Sequence, residues 1–419
     1  HPRTEPPQLD PPTNAPDQSD ATTTHARNHR NWTHQQTHLI IYPVHMASLN
    51  TQSPPTLLLS FGAVADVQYA NSENGADFKK TVVRRYRNAL TLLTAALDEW
   101  TTQEETLGYP VQMIVQLGDL LDGRCQEQNH DRDECLERLL AQFNRLPTTV
   151  PRFDIIGNHE LYNFTRAELQ DPNGPLRTAS ITDEILTSEN LTSEILTSTA
   201  KTLSHKEGQR QASTFYSAVV VPGFRVVVID AYEISTLNGT EECSTTQALD
   251  YLSNKNPNDI AKQGVDWTAG LEGSNKRFVP YNGAVSPVQL EWLSQTLQHA
   301  LRQKERCLVL SHVSLQQGCC SESCVLWNYE EVMNIIHHPT GGTSGETPVV
   351  ACLYGHAHQG GYVQDERGIH HVTLQSPLEA VGDEMSHATV DVYENQMHIR
   401  GKGRVPSRVL DFPMLAAAL

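Results

Sequence analysis

From Leu57 onward the chain alternates short apolar runs with polar loops and amphipathic stretches. Leu57 to Val64 is an apolar run of strand length that ends just before Asp66. Residues 78–100 set Phe78, Val82, Tyr86, Leu90, Leu93 and Leu97 at helical spacing and predict an amphipathic helix. Val111 to Leu117 reads as a buried strand closing on Gly118-Asp119, and residues 131–146 as a second helix. Pro151 to Ile156 is a third strand, leading into Gly157-Asn158-His159-Glu160. The pattern breaks at 165–212 and resumes with a strand from Phe224 to Ile229 that ends at Asp230. Residues 286–302 predict a helix opened by Ser286-Pro287, with Ser as the N-cap and Pro at the first helical position. Cys307 to Leu310 and Val349 to Leu353 are two further strands, running into Ser311-His312 and Gly355-His356-Ala357-His358. Strand, polar loop, helix and strand in this repeated order indicate an α/β fold with helices over a sheet. In such folds the loops at the carboxyl ends of strands carry ligand groups, and every polar motif here falls in that position.

Two segments stand outside the pattern. Residues 1–55 are rich in Pro, Thr, Asn, Gln and His with few aromatics, the composition of a disordered leader or extension. Met46 is a candidate start site within it, and Glu5, Asp10, Asp17 and Asp20 with sparse Arg argue against a transit peptide. Within 165–212, Thr182-Asp-Glu-Ile-Leu-Thr-Ser188 is nearly repeated at Thr192-Ser-Glu-Ile-Leu-Thr-Ser198. A duplication this short is no solenoid, so the region reads as an inserted surface loop without chemistry. The expectation is one domain over residues 56–412 that carries this insertion.

At 419 residues the chain can bury a substantial core. Its net charge of -18 excludes nucleic acid as a bulk partner, because no basic stripe exists to displace counterions. It does not exclude a phosphate substrate, since two divalent cations would set the local sign with about +4. Cysteines number 8 and follow no regular disulfide spacing, which favours a reducing compartment, the cytoplasm. Cys319, Cys320 and Cys324 lack a paired Cys-x-x-Cys arrangement and read as thiols in a polar loop. No apolar run approaches the ~20 residues that span a bilayer.

Five polar clusters follow strand-like runs: Asp66-Val67-Gln68, Gly118-Asp119-Leu120-Leu121-Asp122, Gly157-Asn158-His159-Glu160, Ser311-His312 and Gly355-His356-Ala357-His358. Singly, each has an ordinary reading, since an aspartate after a strand is usually a turn or helix cap. Jointly they offer carboxylate, amide and imidazole donors, a set suited to Mn, Fe, Zn or Mg rather than to thiophilic metals.

This ordered set resembles the calcineurin-like metallophosphoesterases over about residues 57–405. The resemblance implies an α/β sandwich of two mixed β-sheets flanked by helices, and a centre of two divalent metal ions. By that resemblance Asp66 and His358 hold the first metal with Gln68 beside them, Asp119 bridges both, and Asn158, His312 and His356 hold the second. Such a pair polarises phosphoryl oxygens and generates a water-derived nucleophile near neutral pH. His159 would face the substrate, with Asp122 orienting its imidazole and favouring the protonated form. Gln68 departs from the common family pattern, in which histidine stands two residues after the first aspartate. An amide oxygen is a weaker ligand than imidazole.

The Gln68 variant resembles one branch, the manganese-dependent ADP-ribose/CDP-alcohol diphosphatases. The matching stretches are Phe61-Gly-Ala-Val-Ala-Asp-Val-Gln-Tyr69, Gly157-Asn-His-Glu-Leu-Tyr-Asn-Phe164, Tyr281-Asn-Gly-Ala-Val-Ser286, Leu326-Trp-Asn-Tyr329, Gly355-His-Ala-His-Gln-Gly-Gly-Tyr362 and Gly401-Lys-Gly-Arg-Val-Pro406. The resemblance implies a monomer that cleaves a small nucleotide diphosphate to a nucleoside monophosphate and a phosphorylated product. Tyr69, Tyr162 and Trp327 are candidates to stack on base or ribose, with core packing an equal reading for Trp327. Cys324 precedes Leu326-Trp-Asn-Tyr329 and is a candidate pocket residue. Arg404, in a basic cluster with Lys402 and Arg408, is a candidate for the second phosphate. The rival readings are a phosphomonoesterase or protein phosphatase of the same superfamily, against which Gln68 and Asp122 speak, and a non-catalytic scaffold, against which the full ligand set speaks.

Overall fold

The computed structural model describes residues 55–127, 131–171, 174–176, 214–237, 242–262, 264–341 and 346–413. The leader up to residue 54 and the Thr182–Ser198 duplication lie outside the described residues. The described residues all fall in one compact unit.

The apolar runs become strands because each is buried on both faces, as parallel strands sheltered by helices must be. The first sheet has the order β14-β13-β12-β1-β4-β5. Its members are β1 (Leu57–Val64), β4 (Met113–Gln116), β5 (Arg152–Asp154), β12 (Ser386–Tyr393), β13 (Gln396–Gly403) and β14 (Arg408–Asp411). Strands β1, β4 and β5 run parallel, and β12 to β14 continue from β1 antiparallel. The second sheet has the order β10-β11-β9-β8-β7-β6. It comprises β6 (Tyr216–Val221), β7 (Phe224–Val228), β8 (Arg306–Ser311), β9 (Val349–Tyr354), β10 (Gly361–Gln364) and β11 (His370–Thr373). Strands β7, β8, β9 and β11 are parallel, with β6 and β10 antiparallel at the edges. Both sheets are mixed, as expected.

Alternation along the strands divides the apolar side chains between two cores. Phe61, Ala63, Met113, Val115 and Leu117 meet Val226, Val228, Leu308, Leu310 and Leu353 between the sheets. Val64, Ile114, Val227, Val309 and Cys352 point outward beneath the helices. There α1 (Tyr86–Thr101) covers the first sheet with Leu93, Leu97 and Trp100, together with α3 (Arg132–Phe143). Helix α2 (Gln103–Leu107) ends at Gly108, and α4 (Asn158–Asn163) and α5 (Arg166–Gln170) follow β5. On the second sheet lie α7 (Pro287–Gln303) and α8 (Tyr329–His337), while α6 (Glu242–Ser253) packs Ala248 and Leu252 against Phe278, Ala284 and Trp327. Ser286 caps α7 by accepting the Gln289 N–H at 3.2 Å, ahead of Pro287.

The helix expected over 78–100 begins only at Tyr86. Residues before it form a hairpin of β2 (Gly75–Ala76) and β3 (Val83–Arg84). Its cause is local: the Asp77 carboxylate accepts the Thr81 and Val82 N–H groups at 2.6 and 2.8 Å, and Lys80 takes a φ of 56°. A side chain that captures these amides competes with the helix for them. Phe78, counted on the helical face, is 65% exposed.

Candidate metal centre

The carboxyl ends of β1, β4, β5, β8 and β9 open on one cleft, and every expected metal-binding residue stands on one of the loops that leave them. Backbone bonds lace these loops together: Asp66 N donates to Gly118 O at 3.0 Å, Gln68 N to Asp119 O at 2.8 Å and Gly355 N to His312 O at 3.1 Å. Asp66, Gln68, Asp119 and His356 all take positive φ, between 44° and 68°. Backbone strain of ~1–3 kcal/mol per residue persists where surrounding structure enforces it, and it clusters at functional sites. Two glycines make room for the convergence. A Cβ on Gly118, itself at φ 103°, would lie 2.2 Å from His312 Nδ1. One on Gly157 would lie 2.1 Å from Asp119 Oδ1.

The side chains form two facing donor groups. On one side Asn158 Oδ1 lies 3.2 Å from His312 Nε2 and 3.0 Å from His356 Nδ1, with the two ring nitrogens 3.2 Å apart. On the other, Gln68 Nε2 lies 3.0 Å from His358 Nε2, which is 3.6 Å from Asp66 Oδ1. Asp119 Oδ2 stands between them, 2.9 Å from Gln68 Nε2 and 3.4 Å from His312 Nε2.

The outer partners of the rings fix which nitrogens face inward. His312 Nδ1 donates to Leu117 O at 2.7 Å, His356 Nε2 to Asn282 Oδ1 at 2.8 Å and His358 Nδ1 to Glu379 Oε1 at 3.0 Å. Each inner nitrogen is thus left to offer a lone pair, the second-shell arrangement typical of metal-binding histidines. Gln68 Oε1 is buried without a hydrogen-bond partner, and a buried carbonyl in that state calls for a cation. The residues fit a metal centre. Among the described residues, Asp119, His312 and His356 form one group whose ligand atoms all lie within 4.8 Å of each other.

Charges without a metal tell the same story. Burial pushes the Asp66 carboxyl up to about 7, against the pull of His312 and His358. Burial would also raise Asp119, but the His312 and His159 charges hold it below the usual carboxylate range. Burial lowers His312, yet Asp119 more than reverses this and lifts it to about 9. Burial and then the His312 charge keep His356 neutral, well below the ordinary histidine value.

His159 lies at the rim. Its N–H donates to Asp119 Oδ1 at 2.8 Å, and its Nε2 is 4.0 Å from Asp119 Oδ2. Asp122 Oδ2 stands 3.4 Å from His159 Nδ1, but the nearer partner is the Gly123 N–H, which donates to that nitrogen at 2.9 Å. Nδ1 is therefore the acceptor and Nε2 carries the proton. Asp122 Oδ1 caps the short 3-10 helix that follows by accepting the Arg124 N–H.

The substrate candidates divide. The Tyr162 ring meets the His159 ring edge-on at 4.9 Å, and Cys324 feels the Asp66 charge and acts in turn on Tyr281. Tyr69 does not line the cleft: the residue is 3% exposed, and its hydroxyl feels the Arg138 charge from α3. Trp327 is fully buried, stacked on Tyr251 with its Nε1 donating to Val279 O, so core packing prevails. The basic cluster disperses as well. Arg404 bonds Glu379 at 3.3 Å, Lys402 pairs with Glu99, and Arg408 covers the Tyr362 ring.

Sequence reasoning passed over five residues. Glu160 accepts the N–H groups of Gly157, Asp119 and Leu120 at 2.7, 2.7 and 2.6 Å and so locks two ligand loops together. Tyr232 OH donates to Asn158 Oδ1 at 3.2 Å, while Asn282 and Glu379 hold two of the histidines. Arg84 brings its charge to bear on Tyr162 and Glu379, and its Nε is buried without a hydrogen-bond partner. Glu160 and Asn282 stood inside motif stretches; the other three carried no sequence signal.

Two mixed sheets with this donor set at their strand ends define a dimetal phosphoesterase. The chain belongs to the calcineurin-like phosphoesterase family, whose pattern it matches over residues 59–360. Its curated relatives include the manganese-dependent ADP-ribose/CDP-alcohol diphosphatase of Arabidopsis thaliana, 34% identical over 84% of this chain and 96% of the relative. The protein of that name from Homo sapiens is 32% identical over 85% of this chain and 93% of its own. Among solved structures, a dimetal phosphatase from Danio rerio superposes with a TM-score of 0.68 at 29% identity, covering 85% of this chain and all of that one. No helix among the described residues is long and apolar enough to cross a membrane.

Proposed function

We propose that the chain is a manganese-dependent hydrolase that cleaves the diphosphate bridge of ADP-ribose and of CDP-alcohols such as CDP-choline, releasing a nucleoside monophosphate and a phosphorylated partner. The observation that carries this reading is the position of Asp119, whose Oδ2 faces Gln68 at 2.9 Å and His312 at 3.4 Å. One carboxylate thereby serves two donor sets, the first of Asp66, Gln68 and His358, the second of Asn158, His312 and His356. Two divalent cations held there supply charge against the phosphoryl oxygens and acidify water.

The protein's own groups do the rest. His159 presents Nε2–H to the cleft because Gly123 occupies Nδ1, so it donates to a phosphoryl or leaving oxygen. The Arg84 guanidinium, whose charge reaches Tyr162 and Glu379, meets the second phosphate. Tyr281, 5.7 Å from the His356 ring, offers an aromatic face to the nucleoside side. The described cysteines are free thiols, which supports a reducing compartment, the cytoplasm.

The test is the purified chain with Mn or Mg on ADP-ribose, CDP-choline and 4-nitrophenyl phosphate. Release of AMP and CMP that stops on chelation is the expected result. Turnover of the monoester alone favours the phosphomonoesterase reading, and inactivity on all three the scaffold.

A further inference from the structure

Of the three histidines expected to hold metal, one has an anion on its outer nitrogen. His358 Nδ1 bonds the Glu379 carboxylate at 3.0 Å, whereas His312 and His356 lean on neutral oxygens of Leu117 and Asn282. The difference is built into the fold. Glu379 closes the 3-10 turn Pro377–Glu379, which stands on the ligand loops themselves. The Ser376 hydroxyl donates to Asp66 O at 2.7 Å and accepts the Leu378 N–H at 3.0 Å, while Ser376 N donates to His358 O at 3.1 Å. From outside, Arg85 Nη1 holds Glu379 O at 3.1 Å, and Gln359 and Arg404 both donate to Oε2. The side chain is 5% exposed.

The anion stands behind the weaker half of the site. Gln68 is a neutral amide, a poorer donor than imidazole or carboxylate, and it shares that half with His358 and Asp66. A carboxylate on the outer nitrogen of an imidazole raises the basicity of the inner one and fixes the ring's orientation.

We propose that Glu379 is a positioning residue that holds His358 with Nε2 toward the cleft and strengthens it as a donor, offsetting the amide of Gln68 so that the first of two cation positions fills. The inference rests on the two-cation reading above, and its test separates the two. The full chain, stripped of metal, is titrated with Mn by calorimetry and electron paramagnetic resonance as wild type, Glu379→Gln and Glu379→Ala. The wild type takes up two Mn per chain. Glu379→Gln keeps an acceptor oxygen without the charge and weakens one of the two sites ~10-fold; Glu379→Ala weakens the same site ~100-fold. The other site is unchanged, the spin-coupled signal gives way to an isolated one at low Mn, and excess Mn restores turnover. Superimposable isotherms for all three proteins would overturn the inference. So would parallel weakening of both sites with a lowered melting temperature, the mark of a merely structural role. If Glu379→Ala does not fold, the near-isosteric Gln variant decides. A wild type that binds fewer than two Mn overturns the two-cation reading itself, whatever the variants do.

Discussion

Gly157→Ala puts the spacing of the centre to a direct test. A Cβ at Gly157 would lie 2.1 Å from Asp119 Oδ1 and 2.7 Å from Asp119 N, where ordinary contact begins at 3.4 Å, so about 1.3 Å must open at the carboxylate. The backbone itself accepts alanine, since Gly157 has φ -101° and ψ 178°. The added methyl therefore acts by contact alone. It pushes on the carboxylate whose Oδ1 accepts the His159 N–H and whose Oδ2 faces both donor sets. Overpacking of this kind costs ~1–3 kcal/mol of stability. A displacement of about 1 Å at reacting groups costs ~100-fold in rate, or ~2.7 kcal/mol of transition-state stabilisation. The assay is kcat for AMP release from ADP-ribose at saturating Mn, with the melting temperature measured alongside. A kcat within threefold of wild type, in a variant that melts normally, would refute the claim that Asp119 is held in place by the loop opposite.

Two further outcomes are expected. His159→Asn should lower kcat ~10²–10⁴-fold with Mn binding unchanged, because the N–H that holds Asp119 belongs to the backbone and survives the substitution; lost Mn in calorimetry would contradict the placement of His159 outside the ligand set. In the metal-free protein His312 titrates near 9 against an ordinary 6.5, so the folded state holds a proton that the unfolded state has released, and this contribution is present below 6.5 and lost as pH rises through 9. His356 is depressed and acts oppositely, but only below 6.5, while Asp66 and Glu160, raised by burial to about 7, add to the His312 trend. The melting temperature without metal should fall from pH 7 to 8.5, and the stabilisation by Mn should grow as the cation meets less competition from the proton; a Mn-induced shift that shrinks over that interval rules this out.

The strands on which the site is built were legible because burial on both faces leaves near-continuous apolar runs. Those of the C-terminal half were less so. Strand β12, Ser-His-Ala-Thr-Val-Asp-Val-Tyr, mixes polar side chains into a covered strand, since Asp391 pairs with Arg400 on β13 and accepts the Ser60 and Tyr109 hydroxyls from distant parts of the chain. Periodicity cannot report such partners. The false start of α1 has the opposite cause, a local bond from Asp77 that outweighed a helical spacing real in the sequence.

The site divides along a similar line. Its inner donors could be read from the chain because each follows a strand, and strand order alone brings the ends of β1, β4, β5, β8 and β9 together. The groups that orient them are single residues of common types whose partners lie far along the chain: Asn282 is 74 residues from His356 and Tyr232 is 74 from Asn158. Neighbourhood in sequence misleads in the same way. Tyr69 follows Gln68 directly, yet its neighbour reaches Asp119 and His358 while Tyr69 N and O pair with Leu120 and Asp122, turning the ring toward Arg138. Arg404, chosen for its charge, already has a carboxylate, whereas Arg84, on a hairpin read as helix, keeps a buried Nε without a hydrogen-bond partner. Charge is visible in a sequence, but its neutralisation is not.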